Sequence, residues 1–285
     1  MLTRKNLIPS QFNNQLKYEF PTQTQFPKGT RISLEGYSIH NSFFNIEKKR
    51  GNNKISIFWV PNSTNYEFTI DDGFYTISEI NGLLQYFCIL ENLFVYDTNG
   101  NKVFFIEIKI NPTAYACEIR CLQIPTIQEA VDLEYTLPIG ASWALHVSDN
   151  YISQIEILSS TFGGLIGFDV GIYPPTVFET ENYSQKSQSS PSINIVSGMT
   201  FLCSAVIGDY SNPPNVIKFK SLVKGYGDLM EVDSYKDESK LLTITNLKTF
   251  TITILDQNHE HFKLNDKDIT LNIGLHVPIP KETIN

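Results

Sequence analysis

The stretch Phe68-Thr-Ile-Asp-Asp-Gly-Phe-Tyr-Thr-Ile-Ser-Glu-Ile-Asn-Gly-Leu-Leu-Gln-Tyr-Phe-Cys88 changes its hydrophobic period partway along. Its first part alternates like a β-strand and turns at Asp72-Gly73. The later apolar residues have the spacing of one helical face: Ile80, Leu83, Leu84 and Phe87. Ser78 is a favourable N-cap, and Glu79 puts negative charge in the first turn. We therefore predict a strand, a tight turn and one short amphipathic helix near residues 78–90.

The rest of the chain consists of extended segments separated by Gly, Pro and Asn turns. The candidate strands are 16–20, 30–44, 54–60, 93–96, 102–110, 114–122, 152–158, 164–170, 192–196, 200–207, 216–223, 241–255 and 268–278. This pattern predicts an all-β protein, an antiparallel jelly-roll β-sandwich that contains the one helix.

Several local features carry their own expectations. Segments 30–44 and 54–60 are expected to form a long hairpin, and Pro21 is expected to end the first strand. The polar residues 179–190 predict a surface loop. Thr126-Ile-Gln-Glu129 has the capping-box pattern and predicts a single helical turn.

The length of 285 residues fits one large β domain or two small ones. Residues 1–15 are polar and lack a period, so they are expected to form an N-terminal arm. No Pro-, Gly- or Ser-rich linker divides the remainder, so residues 16–285 are expected to form a single jelly-roll domain with long surface loops.

The composition narrows the possible partners. Charged residues are 18% and aromatic residues 12%, with a net charge of −8, which argues against a dedicated nucleic-acid surface. Lys48-Lys49-Arg50 is the one basic cluster and is expected to be a solvated loop. No apolar run is long enough to span a bilayer, and no signal peptide is visible, so we expect a soluble chain made in the cytoplasm.

The four cysteines predict neither a disulfide framework nor a metal site. Cys88 and Cys203 lie in apolar surroundings and are expected to be buried thiols. Cys117 and Cys121 share a face of a candidate strand and lack a second pair of zinc ligands nearby. Reduced thiols are the expectation for all four.

Other residue types that could carry chemistry are each better explained by structure. His259-Glu-His261 has the spacing of a cupin-like metal site but follows a turn sequence, which favours an exposed loop. Trp59 and Trp143 could form a glycan-stacking platform, although their apolar neighbours favour the core.

The remaining candidates are acidic pairs and a glycine-rich segment. Asp71-Asp72 and the pair Asp266 and Asp268 are typical of turns. Thr161-Phe-Gly-Gly-Leu-Ile-Gly167 lacks the lysine of a phosphate loop and is expected to be a loop or bulge where backbones pass closely. The sequence therefore predicts no catalytic, cofactor-binding or metal-binding residues.

Several motifs occur in the order seen in one family of capsid proteins. Ile70-Asp-Asp-Gly-Phe-Tyr-Thr-Ile-Ser-Glu-Ile-Asn81 resembles its P-D-G-x-Y-S-hydrophobic-x-D-hydrophobic-N segment, with Asp71 in place of the proline. Further matching segments are Leu16-Lys-Tyr-Glu-Phe-Pro21, Ser38-Ile-His-Asn-Ser-Phe-Phe-Asn-Ile46, Asn52-Asn-Lys-Ile-Ser-Ile-Phe-Trp59, Leu137-Pro-Ile-Gly-Ala-Ser-Trp143, Ile166-Gly-Phe-Asp-Val-Gly-Ile-Tyr-Pro174, Thr251-Ile-Thr-Ile-Leu-Asp-Gln257 and Leu271-Asn-Ile273. The chain thus resembles the penton, or minor capsid, proteins of virophages and Polinton-like (Maverick) viruses.

This resemblance implies a structural protein of the virion, without catalysis and without a cofactor. It implies a homopentamer at the fivefold vertices of an icosahedral capsid, beside a major capsid protein with a double jelly roll. Two alternatives remain open at this point. One is a glycan-binding jelly-roll module for host attachment, and the other is a cupin-like metal-binding protein that uses His259 and His261.

Overall fold

The computed structural model describes residues 2–3, 14–176, 181–208, 211–233, 239–266 and 268–279. Its strands are β1 (Leu2–Thr3), β2 (Gln15–Gln25), β3 (Arg31–His40), β4 (Lys54–Trp59), β5 (Thr64–Thr69), β6 (Val95–Tyr96), β7 (Lys102–Val103), β8 (Ile106–Asn111), β9 (Ala116–Cys121), β10 (Gln123–Ile124), β11 (Tyr151–Ile152), β12 (Gln154–Ile157), β13 (Gly171–Tyr173), β14 (Tyr183–Lys186), β15 (Gly198–Cys203), β16 (Val216–Ser221), β17 (Leu229–Asp233), β18 (Lys240–Leu241), β19 (Asn246–Asp256) and β20 (Thr270–His276). Its α-helices are α1 (Ile77–Leu90), α2 (Ile127–Asp132) and α3 (Ser160–Ile166).

The chain packs as two compact units. Unit 1 combines Met1–Phe43 with Val196–Asn285, and unit 2 is the continuous piece Phe44–Ile195 between them. The expectation of a single domain over 16–285 stays a prediction. Most of the expected arm 1–15 lies outside the described residues, apart from Leu2–Thr3 in β1, Asn14, and Gln15, which is the first residue of β2.

Unit 1 is a jelly roll. One antiparallel sheet has the order β1-β20-β3-β17, with β18 also paired to β3, and the other has the order β16-β15-β19-β2. The rings of Tyr37 on β3 and Phe201 on β15 are 5.2 Å apart, so the buried faces of the two sheets pack against each other. Eight main strands shared between two facing sheets in this order define a jelly roll, and the predicted all-β class is confirmed.

The long strands of unit 1 follow from alternation. In β19, Ile252 and Ile254 are fully buried while the threonines beside them are half-exposed, which is the period of a strand with one buried face. The expected end of β2 at Pro21 is wrong, because β2 continues to Gln25. Proline is tolerated there because β2 is an edge strand and its register with β19 shifts in that region.

Unit 2 has shorter strands and contains all three helices. Its sheets are β13-β12-β4-β5 and β14-β9-β8, with the two-stranded pairs β6-β7 and β10-β11. A single apolar core joins α1 and α3 to these sheets, with Trp59, Ile80, Leu84 and Phe162 fully buried within it. The helix predicted near 78–90 therefore exists as α1, but two further helices accompany it.

Several expectations on pairing and strand position are wrong. The hairpin of 30–44 with 54–60 does not form, since β3 pairs with β17, β18 and β20 while β4 pairs with β5 and β12. Segment 164–170 is mostly the end of α3 and its following turn, and 192–196 is not a strand. In the expected loop 179–190, the pairing of β14 with β9 creates a strand that polar composition concealed; residues 179 and 180 lie outside the described residues.

Candidate functional site

A capping box formed by Thr76 and Glu79 begins α1. The Thr76 hydroxyl accepts the Glu79 N–H at 3.3 Å, and the Glu79 carboxylate accepts the Thr76 N–H at 2.8 Å. These bonds, the backbone one foremost, lower the pKa of Glu79. The N-cap is therefore Thr76 and not Ser78, because the T-x-x-E spacing satisfies two orphan donors that a cap at Ser78 would leave unpaired.

The acidic pair before α1 lies at a bend next to the isolated bridge between Gly73 and Ile46. The Asp72 carboxylate accepts the Lys48 N–H at 2.6 Å. Gly73 and Ile46 exchange two main-chain hydrogen bonds, each of 3.0 Å. Asp72 therefore fixes the loop that carries Lys48, and the basic cluster 48–50 is a short 3₁₀ turn beside it.

Buried asparagines connect the motif segments. The amide of Asn45, which is fully buried, donates to the Tyr75 carbonyl at 2.8 Å and accepts the Tyr75 N–H at 2.9 Å. Asn52 donates to the Asn45 carbonyl at 2.8 Å and accepts the Glu47 N–H at 2.8 Å. These asparagine side chains supply hydrogen bonds of the kind that a neighbouring strand provides elsewhere. Without them, the main-chain groups would be removed from water and left unpaired.

Two more motif asparagines extend this asparagine network. Asn53 donates to the Ile70 carbonyl at 3.3 Å and accepts the Ile70 N–H through its own carbonyl at 2.8 Å. Asn81 on α1 accepts the Ile108 N–H at 2.8 Å, which anchors α1 to β8. The motif positions therefore hold backbone segments together and do not converge on a solvent-accessible centre.

The histidine pair lies in an exposed turn. His259 follows β19 with a φ of 63°, and the Asp256 carboxylate accepts the N–H groups of Asn258 and Glu260, each at 2.8 Å. No group of three or more His, Cys, Asp or Glu side chains suited to a metal occurs among the described residues. The arrangement agrees with the expected loop and offers His259 and His261 no third ligand within those residues.

The two tryptophans lie in the core of unit 2. Trp59 is 0% exposed and Trp143 is 5% exposed, and their rings meet edge to face at 5.2 Å. The Trp143 indole N–H donates to the Asn92 carbonyl at 2.7 Å. A glycan cannot stack on either ring, so the hypothesis of a platform at these positions is wrong.

The other acidic pair and the cysteines have structural roles. The buried Asp266 carboxylate accepts the N–H groups of His40 at 2.5 Å and Asp268 at 2.8 Å, which makes it a turn former. All four cysteines are free and buried. Burial raises the pKa of Cys88 and Cys117 to about 12 and of Cys203 to about 11, and it raises the pKa of Cys121 further.

The glycine-rich segment forms α3 and not the expected loop. Ser159 caps this helix by accepting the Phe162 N–H at 3.2 Å. A Cβ at Gly163 would lie 2.2 Å from the Phe168 carbonyl oxygen, and one at Gly167 would lie 2.1 Å from that of Ser189. The close backbone approach was therefore predicted correctly, although the segment is helical.

One surface feature, a groove, was not predicted from the sequence. A groove of about 460 Å³ lies beside α2 in unit 2, and we call it the acidic groove. Its apolar floor and sides include Phe105, Leu122, Leu133 and Tyr135, and its charged lining residues are Glu129 and Asp132. Thr126 and Glu129 form the predicted capping box of α2, so the local helix was visible in the sequence.

The acidity of this region was also visible. No lysine or arginine occurs between Arg120 and Lys186, whereas eight acidic residues do. Hydrogen bonds from the Thr126 N–H and the Asn150 amide lower the pKa of Glu129, so its carboxylate stays charged. What the sequence could not supply is the placement of Leu122 and Tyr135 on the same groove.

Comparisons with known proteins find similar folds among solved structures. No protein-family model matches the chain, and no curated protein matches it significantly. The fold is similar to that of the mavirus penton protein, with a TM-score of 0.41 and 10% identity over 92% of this chain and 90% of that chain. It is also similar to a chain in the structure of the Sputnik virophage, with a TM-score of 0.39 and 10% identity over 93% of each chain.

Among the helices of the described ranges, none has the length and apolar character that a bilayer crossing requires.

Proposed function

We propose that this chain is a structural subunit of an icosahedral viral capsid, of the penton or minor capsid class. The asparagine network is the observation that carries the proposal. The residues through which the chain resembles that family serve to fix its backbone, as Asn45 does for Tyr75. A protein whose motif residues maintain its architecture fits a role as a building block.

The jelly roll of unit 1 agrees with this role, although a fold alone does not define a function. Large apolar side chains are also exposed on both units. Examples are Val131 at 64%, Leu133 at 51% and Val223 at 86%. These side chains are available for apolar contacts with other chains.

The finer proposal is a homopentamer at the fivefold vertices that contacts a major capsid protein with a double jelly roll. Its location would then be the virion, and the chain would carry no catalytic, cofactor or metal site. Identical copies joined by one heterologous contact form a closed ring when the rotation permits, so a pentamer needs a single type of interface.

The test is the mass in solution and the capacity to enter capsids. The purified chain is measured by light scattering and native mass spectrometry, alone and with the major capsid protein of the same virus. We expect a species of five times the 32.4 kDa chain mass that is incorporated into shells. A chain that stays monomeric at every concentration and never enters shells would contradict the proposal.

A further inference from the structure

Charge is distributed unevenly over this chain. The stretch between Arg120 and Lys186 contains eight acidic residues and no lysine or arginine, while the whole chain has a net charge of −8. All of this stretch belongs to unit 2. The surface that it forms therefore repels anions and attracts a cationic partner.

The acidic groove is the concave part of that surface. Glu129 and Asp132 line it, and no basic side chain does. Leu133, which also lines it, is 51% exposed, and the neighbouring Val131 is 64% exposed. The groove thus offers apolar contact beside negative charge, and the complementary ligand presents apolar side chains flanked by cations.

Unit 1 presents a surface with those properties. The strand β16 is an edge of its sheet, and the chain from 216 to 224 reads Val-Ile-Lys-Phe-Lys-Ser-Leu-Val-Lys. No acidic residue occurs between Asp209 and Asp228. We call Phe219, Lys220, Val223 and Lys224 the basic edge.

The apolar members of the basic edge are presented to solvent. Phe219 is 51% exposed, and its ring lies directly over Gly198, where an added Cβ would be 2.6 Å from the ring. Val223 is 86% exposed. The adjacent Lys218 is buried, and burial and, to a smaller extent, the charge of Lys220 lower its pKa, so the cations available at this edge are Lys220 and Lys224.

We propose that the basic edge of one copy docks in the acidic groove of a neighbouring copy. The contact pairs Lys220 and Lys224 with Glu129 and Asp132, and it covers Phe219 and Val223 with the apolar lining of the groove. This inference rests on the proposed function, because it supplies the interface through which identical subunits join.

A second copy of the chain is the occupant that the charges favour. The two surfaces are complementary and lie on different units of the same chain, so the contact is heterologous and leaves a free groove at one end of a growing assembly and a free edge at the other. A ring uses both. The flanking ion pairs at the rim speed and orient association, while the apolar contact supplies most of the affinity.

The test is charge reversal followed by charge exchange. The variant with Lys220→Glu and Lys224→Glu should weaken self-association at least about 10-fold, measured by analytical ultracentrifugation. Asp132→Lys should weaken it similarly and keep α2 intact, because a cation suits the end of a helix. The chain that combines all three substitutions should regain much of the lost association. Lys17→Glu with Lys28→Glu changes exposed lysines of unit 1 by the same charge and should have little effect.

Each outcome separates the inference from the proposed function. If the wild type assembles and the reversed variants assemble equally well while remaining folded by circular dichroism, the interface is wrong and the capsid role stands. If the wild type is strictly monomeric and never enters shells, both fall. As a second measurement, carbodiimide should link Lys224 to Asp132 between copies of different isotopic mass. Links confined to one copy would overturn the inference.

Discussion

In unit 1, paired strands of up to 11 residues run along two facing sheets, whereas unit 2 combines shorter strands with all three helices. Main-chain ladders determine the register in unit 1. In unit 2, single side chains such as Asn45 and Asn81 bind main-chain groups that no strand reaches. We infer that polar substitutions affect unit 2 more strongly, and the experiments below test this difference.

The largest effect is expected in the core of unit 2. Leu84 on α1 is 0% exposed, so Leu84→Ala should lower the free energy of unfolding by about 2–5 kcal/mol. Leu83 is only half-buried, and Leu83→Ala should have a smaller effect. Urea unfolding measures both. No effect of Leu84→Ala would show that α1 is peripheral to the core, and equal effects of the two substitutions would contradict the expected difference in burial.

The asparagine network gives the sharpest contrast between the units. Asn45→Ala leaves the N–H and C=O of Tyr75 without their partner in a partly buried site, which should lower the free energy of unfolding by about 1–3 kcal/mol. In unit 1 the half-buried Asn265 donates a side-chain bond to the Ser42 carbonyl at 2.7 Å. Asn265→Ala should have the smaller effect, and the opposite order in chemical denaturation would refute the comparison.

Two adjacent glycines of α3 should respond in opposite directions. Gly163→Ala forces its Cβ against the Phe168 carbonyl and should destabilise the protein by about 1–3 kcal/mol. A Cβ at Gly164 meets nothing within 4 Å, so Gly164→Ala should stabilise by up to about 1 kcal/mol through helix propensity. Thermal unfolding should show the two midpoints on opposite sides of the wild type.

The capping box of α1 should have a moderate effect. Thr76→Ala removes the cap and should lower the free energy of unfolding by about 1 kcal/mol. Ser78→Ala, inside the helix and exposed, should change it by less than about 0.5 kcal/mol. A larger loss of unfolding free energy for Ser78→Ala than for Thr76→Ala would indicate that Ser78 is the N-cap.

The stabilisation that the capping box of Thr76 and Glu79 provides should depend on pH. The pKa of Glu79 is lowered in the folded protein, mainly by the bond from the Thr76 N–H. Its stabilisation is therefore present above the usual carboxyl pKa and is lost as the pH falls through the lowered folded value. The difference between wild type and Thr76→Ala should shrink in acid when both are unfolded at a series of pH values.

The smallest effect is expected in the alkylation of the buried cysteine thiols of the folded protein. Cys203 lies in unit 1, and Cys88, Cys117 and Cys121 lie in unit 2. Burial raises the pKa of each thiol, so none should be alkylated until its surroundings open. Pulsed alkylation in increasing urea, followed by mass spectrometry, should show whether Cys203 becomes reactive separately. Simultaneous labelling of all four would indicate that the units unfold as one domain.

Much of unit 1 could be predicted because alternation alone places its strands, as with Ile252 and Ile254. Strand partners could not be predicted where they lie far apart in sequence, as β3 and β20 do in unit 1. The expected hairpin of 30–44 with 54–60 failed for this reason. Thr76-x-x-Glu79 was a visible capping box that the stronger general preference for Ser78 obscured. The composition of the acidic groove was visible, but its shape was not.

The insertion of unit 2 between β3 and β15 has a consequence for synthesis. Unit 2 is continuous in sequence, whereas β3 pairs with β20, whose residues are made only after unit 2 is complete. We expect the emerging chain to complete unit 2 first and to close the jelly roll only when β19 and β20 have left the ribosome. In arrested chains from which β16 has left the ribosome but β19 has not, Cys88 should then be protected from alkylation while Cys203 still reacts.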